Sequence, residues 1–312
     1  MENSIGIEKF LNHINDPELI AILNIQNVLL QELQNYAVNN GFKQLMPLLI
    51  SPFTDPLNHQ VYPATIKYGD KMLSLTSSMI FHKQLSLIPK NINKVFILSP
   101  NIRLELEHKQ KTGNHMLEFS QFDFEIKNAS MNDVMKYIEG LYIYIFDIIQ
   151  KRCSEELKIL NRQLPKLQKP FPVYSTTEIP LDEVDDYCTK LSKELNSPFF
   201  VTNLKREFYD REDPDRPKTY RNFDMFYPEG YEEALSGGER EYIYDDIIRR
   251  IAENDTDKKP LENYLKIAKM GLLNKSAGAG IGVQRLLKFI CGKRKIEDVC
   301  MFNRSVGTNF DV

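Results

Sequence analysis

The stretch IRLELEHKQKTGNHMLEFSQFDFEI (residues 102–126) contains two runs in which apolar and charged residues alternate, separated by the polar segment KQKTGNH. Alternation with a period of two is typical of a strand with one buried face. The stretch therefore predicts strands at 102–108 and 116–126, joined by a turn at Gly113. Arg103, Glu105 and Glu107 would share one face. Such a row is either a solvated charge ladder or a nucleotide-binding surface, and the hairpin alone leaves both open.

The flanking sequence predicts a sheet covered by helices. Asp16 is suited to an N-cap and Pro17 to the first turn of a helix over 17–40. Residues 45–51 (LMPLLIS) predict a short edge strand because Pro47 lacks a ladder donor, whereas 52–75 has no regular pattern. Strands joined by hairpins and irregular links favour a mainly antiparallel sheet over a doubly wound one. The remaining patterns predict strands at 95–100, 198–204 and within 223–241, and helices at 76–88, 131–156, 183–195, 242–254, 260–270 and 283–291.

Composition limits the class of protein. The chain has 312 residues, a net charge of −3 and 42% hydrophobic residues, which fits a globular protein without a strong positive field for nucleic acid. Four cysteines form no Cys-x-x-Cys pair and are expected to be reduced. The first residues, MENSIGIEKF, do not resemble a signal peptide, and no run reaches the ~18 apolar residues of a membrane span. We therefore expect a cytoplasmic protein that uses no membrane.

A second motif, SAGAGIGVQRLLKF (276–289), spaces its glycines as G-x-G-x-G-x-x-R. A dinucleotide fingerprint needs G-x-G-x-x-G and an acidic ribose ligand ~20 residues further on, and this run lies too near the end of the sequence. A P-loop needs Gly-Lys-Ser/Thr. The run is therefore either a phosphate-binding segment of another kind or a strand packed closely on a helix.

Taken together, these segments resemble one family. RLELE and NHMLEFSQFDFE resemble motif 2 of the class II aminoacyl-tRNA synthetases of the aspartate/asparagine subgroup, GAGIGVQR resembles motif 3, and GFKQLMPLLISP resembles motif 1 at the dimer interface. They occur in the family's order across nearly the whole sequence. The resemblance implies an α+β fold, with an antiparallel β-sheet flanked by helices, and a homodimer.

The resemblance assigns ATP to motifs 2 and 3. Arg103 would bind the α-phosphate and is the expected catalytic residue. The other contacts would be an adenine-side carboxylate, a γ-phosphate histidine, a stacking ring, and the glycine and arginine of motif 3: Glu105, His115, Phe119, Gly282 and Arg285. Asn114 stands where the family often has arginine, so one phosphate contact is absent from the pattern.

The segment FDMFYPEGYEEALSGGERE (223–241) would complete the site. The resemblance places Mg²⁺ on Asp224 and Glu233, since carboxylates suit a metal that bridges phosphates. It places aspartate on Ser78, Lys83, Asp123, Gly237 and Arg240. Two cations, Lys83 and Arg240, match a dicarboxylate better than an amide.

The expected activity depends on which branch of the family the sequence resembles most. We expect one catalytic domain over 1–312 without the N-terminal anticodon-binding β-barrel, similar to the archaeal asparagine synthetases related to asparaginyl-tRNA synthetase. Aspartate, ATP and ammonia would then give asparagine, AMP and pyrophosphate, with tRNA an unlikely partner. The alternatives are an aspartyl- or asparaginyl-tRNA synthetase paralogue that charges tRNA or another carrier, and a non-catalytic sensor of amino acid or ATP.

Overall fold

The computed structural model describes residues 2–179 and 183–308. Helices form wherever apolar residues recur at helical spacing. They are α1 (Glu2–Ile14), α2 (Pro17–Asn39), α3 (Ile80–Leu85), α4 (Met131–Arg152), α5 (Ser154–Ile159), α6 (Val184–Glu194), α7 (Tyr244–Glu253), α8 (Glu262–Lys269) and α9 (Val283–Ile290). The strands are β1 (Lys43–Gln44), β2 (Ile50–Ser51), β3 (Val61–Tyr62), β4 (Thr65–Tyr68), β5 (Lys71–Leu75), β6 (Lys94–Ile102), β7 (Leu104–Glu105), β8 (Glu118–Lys127), β9 (Val173–Ser175), β10 (Phe199–Thr202), β11 (Asn222–Phe226), β12 (Glu233–Glu239) and β13 (Ser276–Gly282).

An eight-stranded sheet forms the centre, in the order β1-β6-β8-β13-β12-β11-β10-β9. The two outermost pairs, β1 with β6 and β9 with β10, are parallel, and all pairs between them are antiparallel. Helices α2, α4 and α9 cover the sheet, so the predicted α+β class with a mainly antiparallel sheet is confirmed.

Alternation along β8 separates the two faces of the sheet. Phe122 and Phe124 pack into the main core, whereas Asp123 and Glu125 point to the opposite face. Local signals hold the covering helices in place. Asp16 caps α2 as predicted, and Ser130 forms a capping box with Asp133 at the start of α4. One face of the sheet is therefore apolar, and the other carries charges.

The segment predicted as a strand over 102–108 is divided in the structure. Strand β6 ends at Ile102, Leu104–Glu105 pairs with β3, and Glu107–Thr112 forms a 3₁₀ turn that ends at Gly113 with φ 64°. All six residues of this turn are charged or polar and none is buried, so it has no buried face to hold it in a sheet. Arg103 and Glu105 therefore lie outside the eight-stranded sheet.

Segments around residue 50 also differ from the prediction. The expected strand over 45–51 is limited to Ile50–Ser51, and the region predicted as irregular over 52–75 contains β3, β4 and β5. These short strands expose apolar residues on one side, and Met46 is 85% exposed. The homodimer that the resemblance implies stays a prediction.

None of the described helices has the length and hydropathy of a membrane span.

Candidate active site

A cavity of about 560 Å³ opens on the charged face of the sheet, over β8, β13 and β12. Thirteen residues were predicted from the sequence to bind ATP, amino acid or metal, and every one of them lines this cavity. They come from α3 and the residues before it, β7 and the loops beside it, the strands β8, β11, β12 and β13 with the residue after β12, and α9. Residues up to 207 positions apart in sequence thus line one cavity. Arg103 and Glu105 of the charged hairpin therefore line a cavity, whereas Glu107 is exposed to solvent.

Glycines of β13 make room for the side chains of its neighbour β8. A Cβ on Gly280 would lie 2.8 Å from the Asp123 carboxylate oxygen, and a Cβ on Gly278 would lie 2.8 Å from Cδ of Glu125. Gly282 differs, since a Cβ there would approach nothing closer than 3.8 Å. The lack of a side chain at Gly278 and Gly280 thus leaves room for Asp123 and Glu125, which form the acidic row of β8.

Lys83 and Arg240 form the buried end of the cavity with two carboxylates of β8. Lys83 is only 2% exposed, and its Nζ donates to Asp123 Oδ1 at 2.7 Å and lies 3.7 Å from Glu125 Oε2. Arg240 donates from Nε to Glu125 Oε1 at 3.2 Å. Glu125, which is fully buried, therefore bridges the two predicted amino-acid cations.

The other predicted amino-acid residues surround this buried end. Ser78 is buried beside Lys83, and its Oγ accepts from the amide of Ile80 at 3.2 Å. Gly237 lines the cavity through its backbone, but a Cβ there would point to the opposite face and meet the ring of Phe223 at 2.5 Å. Packing inside the core therefore explains why position 237 is glycine.

The half-buried end of the cavity carries Arg103, Glu105, His115 and Arg285. The Arg103 guanidinium lies 5.2 Å from the ring centroid of Phe119, and its Nε donates to the carbonyl of Ser77 at 3.1 Å. Glu105 Oε1 lies 3.0 Å from Nε2 of His59. Burial raises the pKa of Glu105, but the hydrogen bond and charge of His59, together with the charges of His115 and Arg103, outweigh burial and leave this pKa below its usual value.

His115 is held neutral in this environment. Burial, and next the positive charge of Arg285, lower the pKa of His115 to about 4. Its Nδ1 lies 2.6 Å from Oγ1 of Thr112. The imidazole therefore acts near pH 7 as a neutral hydrogen-bonding group, and Arg285 carries the positive charge beside it.

Asp224 and Glu233 stand between the two ends. Asp224 pairs with Arg206, and Glu233 Oε1 lies 3.5 Å from a terminal nitrogen of Arg285. Burial and the nearby Glu233 raise the pKa of Asp224 to about 7, although Arg206 opposes the shift. In the part of the chain that the structure describes, no three carboxylate, histidine or cysteine side chains are grouped to hold a metal. Two carboxylates do fit Mg²⁺ that takes its remaining oxygens from phosphates and water.

Several lining residues were missed in the sequence. Asp55 is buried and accepts from the hydroxyl of Tyr209 at 2.9 Å, and Asp210 lies 3.6 Å from a terminal nitrogen of Arg240. The segment REFYDRE (206–212) was not predicted to belong to the site. Its two adjacent aromatic residues, Phe208 and Tyr209, were the available signal of burial. Glu125 had a clearer signal, because it lies two residues from Asp123 on the same strand face.

Comparison with known proteins agrees with this geometry. The family model described as tRNA synthetases class II (D, K and N) matches residues 4–306. The asparagine–tRNA ligase of Pyrococcus abyssi is 28% identical over 94% of this chain and 70% of its own length. The aspartate–tRNA(Asp/Asn) ligase of Methanopyrus kandleri is 30% identical over 91% and 67%. A crystal structure of asparaginyl-tRNA synthetase from Pyrococcus horikoshii complexed with asparaginyl-adenylate superimposes with a TM-score of 0.86 at 26% identity, over 97% of this chain and 72% of that one.

The fold, the cavity and the family match define an ATP-using ligase of the aminoacyl-tRNA synthetase type. The chain belongs to the class II tRNA synthetases of the D, K and N group, as a catalytic domain of the aspartate/asparagine subgroup.

Two predictions are corrected by these relatives. The asparagine synthetase activity, with ammonia as a substrate, is wrong, because the matching proteins are named tRNA ligases and match over 94% of the chain. The expectation that tRNA is an unlikely partner is wrong for the same reason. Both rested on the expected lack of an anticodon-binding barrel and on the resemblance to the archaeal asparagine synthetases. A cavity that activates a carboxylate with ATP serves either chemistry.

Proposed function

We propose that this chain is the catalytic domain of an aminoacyl-tRNA synthetase that activates aspartate with ATP and transfers it to tRNA. The observation that carries the proposal is the division of the cavity, in which the buried cations Lys83 and Arg240 lie at one end and Arg103 and Arg285 at the other. The buried pair suits the side-chain carboxylate of the amino acid, and the half-buried pair suits the phosphates of ATP.

This arrangement orients the substrate for the first step. With its side chain on Lys83 and Arg240, aspartate presents its α-carboxylate toward Arg103. The carboxylate oxygen then bonds to the α-phosphorus as the bond to the bridging oxygen of pyrophosphate breaks. Arg103 stabilises the charge that develops on the α-phosphate, and Arg285 with the neutral His115 holds the γ-phosphate. Positioning supplies much of the rate, since the carboxylate is already a nucleophile.

Asp224 and Glu233 are the residues that would hold Mg²⁺. When bound, the metal neutralises charge on the phosphates. In the second step, a terminal ribose hydroxyl of tRNA attacks the carbonyl carbon of the aminoacyl-adenylate and AMP leaves.

Asparagine is the second candidate substrate. Lys83 and Arg240 already face Asp123, Glu125 and Asp210, so the carboxylates outnumber the cations at the buried end. A neutral amide would add no further negative charge there, and most of the relatives quoted are asparagine–tRNA ligases. The lysine favours aspartate, while this charge balance favours asparagine.

Pyrophosphate exchange into ATP tests the proposal directly. We expect exchange that depends on aspartate, and aspartyl-tRNA when tRNA is added; asparagine in place of aspartate selects the second candidate. Arg103→Gln should lower the exchange rate about 10²–10³-fold, because one donor to the developing charge is lost. Arg216→Gln, in an exposed loop, is the matched control and should leave exchange unchanged. Absence of exchange with both amino acids, in a chain that binds ATP, would overturn the proposal.

A further inference from the structure

One buried cation near the cavity has no role in the site described above. Lys288 lies on α9, three residues after Arg285, among the buried side chains Leu286, Leu287 and Phe289. It is only 6% exposed, although lysine is rarely buried without a partner. An apolar residue would suit the packing of this face better. A charge at this position therefore requires an explanation.

The ammonium group of Lys288 donates to the side-chain oxygen of Asn114. The amide nitrogen of Asn114 in turn donates to Glu232 Oε2 at 2.6 Å. Asn114 itself lines the cavity, next to His115. The neutral amide of Asn114 thus links Lys288 to the wall of the half-buried end. The same amide connects Lys288 to the exposed carboxylate of Glu232.

Asn114 is also the position at which the sequence departs from the family pattern, which often has arginine there. The departure removes one positive charge from the phosphate-binding segment. Lys288 restores a positive charge beside the same position, from a different element and 174 residues away in sequence. The two unusual residues therefore contact each other.

On these contacts, we propose that Lys288 and Asn114 together replace the missing arginine and hold the pyrophosphate end of ATP. Lys288 is a positioning residue: it fixes the amide of Asn114 at the cavity wall and adds positive charge behind Arg285 and His115. The inference rests on the proposed function, because that function places the γ-phosphate beside these residues.

The charges around Lys288 fit this role. Burial lowers the pKa of Lys288 to about 8, Glu232 opposes the shift, and the cations Arg285 and Arg294 add to it. The ammonium also lies 5.6 Å from the ring centroid of Tyr231. Lys288 is therefore charged at pH 7 and loses its charge as the pH rises through 8. An incoming polyphosphate would favour the charged form.

The test removes the positive charge of Lys288 and then, in a second variant, places a positive charge at position 114. Lys288→Met keeps the length of the side chain and removes the ammonium group. We expect the dissociation constants of ATP and pyrophosphate, measured by calorimetry, to rise about ten-fold, as for the loss of one charged hydrogen bond. The KM for aspartate should stay within two-fold of the wild-type value. The double variant N114R/K288M should bring both dissociation constants back near wild type, because the arginine restores the family pattern.

Two results would overturn the inference. One is unchanged binding of ATP and pyrophosphate by folded Lys288→Met. The other is an equal loss of ATP and aspartate binding that N114R does not rescue, which indicates a purely structural lysine. If Lys288→Met does not fold, pyrophosphate binding by the wild type is compared with that by Lys288→Arg, each at pH 7 and at pH 9.5. Only the wild type should bind pyrophosphate more weakly at the higher pH, and parallel pH profiles count against the inference.

The outcome is separable from that of the proposed function. A wild-type chain that binds ATP but shows no exchange overturns the function and leaves the binding comparison valid. A wild-type chain that binds neither ATP nor pyrophosphate overturns both.

Discussion

The two ends of the cavity use charge in different ways. At the buried end, Lys83, Asp123, Glu125 and Arg240 form a network of ion pairs that is nearly inaccessible to solvent. At the half-buried end, Arg103 contacts a backbone carbonyl and an aromatic ring, and Arg285 contacts the carbonyl and the carboxylate of Glu233. Buried ion pairs are costly to break, whereas half-exposed cations are available to a ligand. The buried end is thus preformed, and the half-buried end is completed by its substrate.

The largest loss of stability is expected from a substitution that breaks the ion-pair network of the buried end. Glu125→Gln removes the carboxylate that bridges Lys83 and Arg240, and loss of one partner in a buried pair typically costs about 3–5 kcal/mol. We expect a loss of that size in the free energy of unfolding, measured with urea, together with loss of amino-acid-dependent exchange. Glu118→Gln, on the exposed part of the same strand, should change stability by less than about 0.5 kcal/mol. Similar values for the two variants would refute a preformed buried end.

A smaller loss of stability is expected to distinguish Gly278 from Gly282, two glycines of the same motif. Gly278→Ala brings a methyl group against Glu125 and the carbonyl of Phe124, and overpacking of this kind costs about 1–3 kcal/mol. Gly282→Ala makes only ordinary van der Waals contact with Arg285 and is the matched control, with an expected cost below about 1 kcal/mol for alanine at an N-cap. Thermal unfolding of both variants gives the difference. A control that is the less stable of the two would contradict our assignment of Gly278 to the acidic row.

The smallest effect concerns the half-buried end. His59 holds Oε1 of Glu105, the carboxylate proposed to face adenine, so the adenine amino group and this imidazole share one acceptor group. His59→Ala should therefore tighten ATP binding about two- to ten-fold, the value of one hydrogen bond. Calorimetry without amino acid measures this, and His108→Ala, an exposed histidine nearby, serves as the control. Weaker binding by His59→Ala would mean that the imidazole itself supports the nucleotide.

Local signals explain how much of the fold could be predicted. Helix α2 was expected over 17–40 and spans Pro17–Asn39, because Asp16 and Pro17 define its start and apolar residues recur along one face. The strands β3, β4 and β5 were missed, since their residues are largely exposed and lack a clear alternation. Strand boundaries near Arg103 were wrong because Glu105 pairs with a strand more than forty residues earlier.

The site shows the same limit more strongly. Motif residues such as Lys83 and Arg240 were found because each lies in a recognisable segment. Their shared partner Glu125 was missed although it shares a strand face with Asp123, and the order of residues does not indicate that positions 125 and 240 meet. Lys288 was hidden inside an amphipathic helix for the same reason. Sequence patterns thus identified the charged residues, but the pairs they form depend on contacts across more than a hundred residues.

The position of β13 in the sheet has a consequence for the order in which the protein is made. This strand follows the other strands of the sheet in the described part of the chain, yet it lies between β8 and β12, which precede it by about 150 and 40 residues. Until residue 282 has been synthesised, both neighbours have an open edge, and Glu125 lacks the serine of β13 that donates to it. Pairing of such distant strands is slow to form. The nascent chain therefore carries an incomplete sheet until β13 has been synthesised, and the buried end of the cavity closes only after that point.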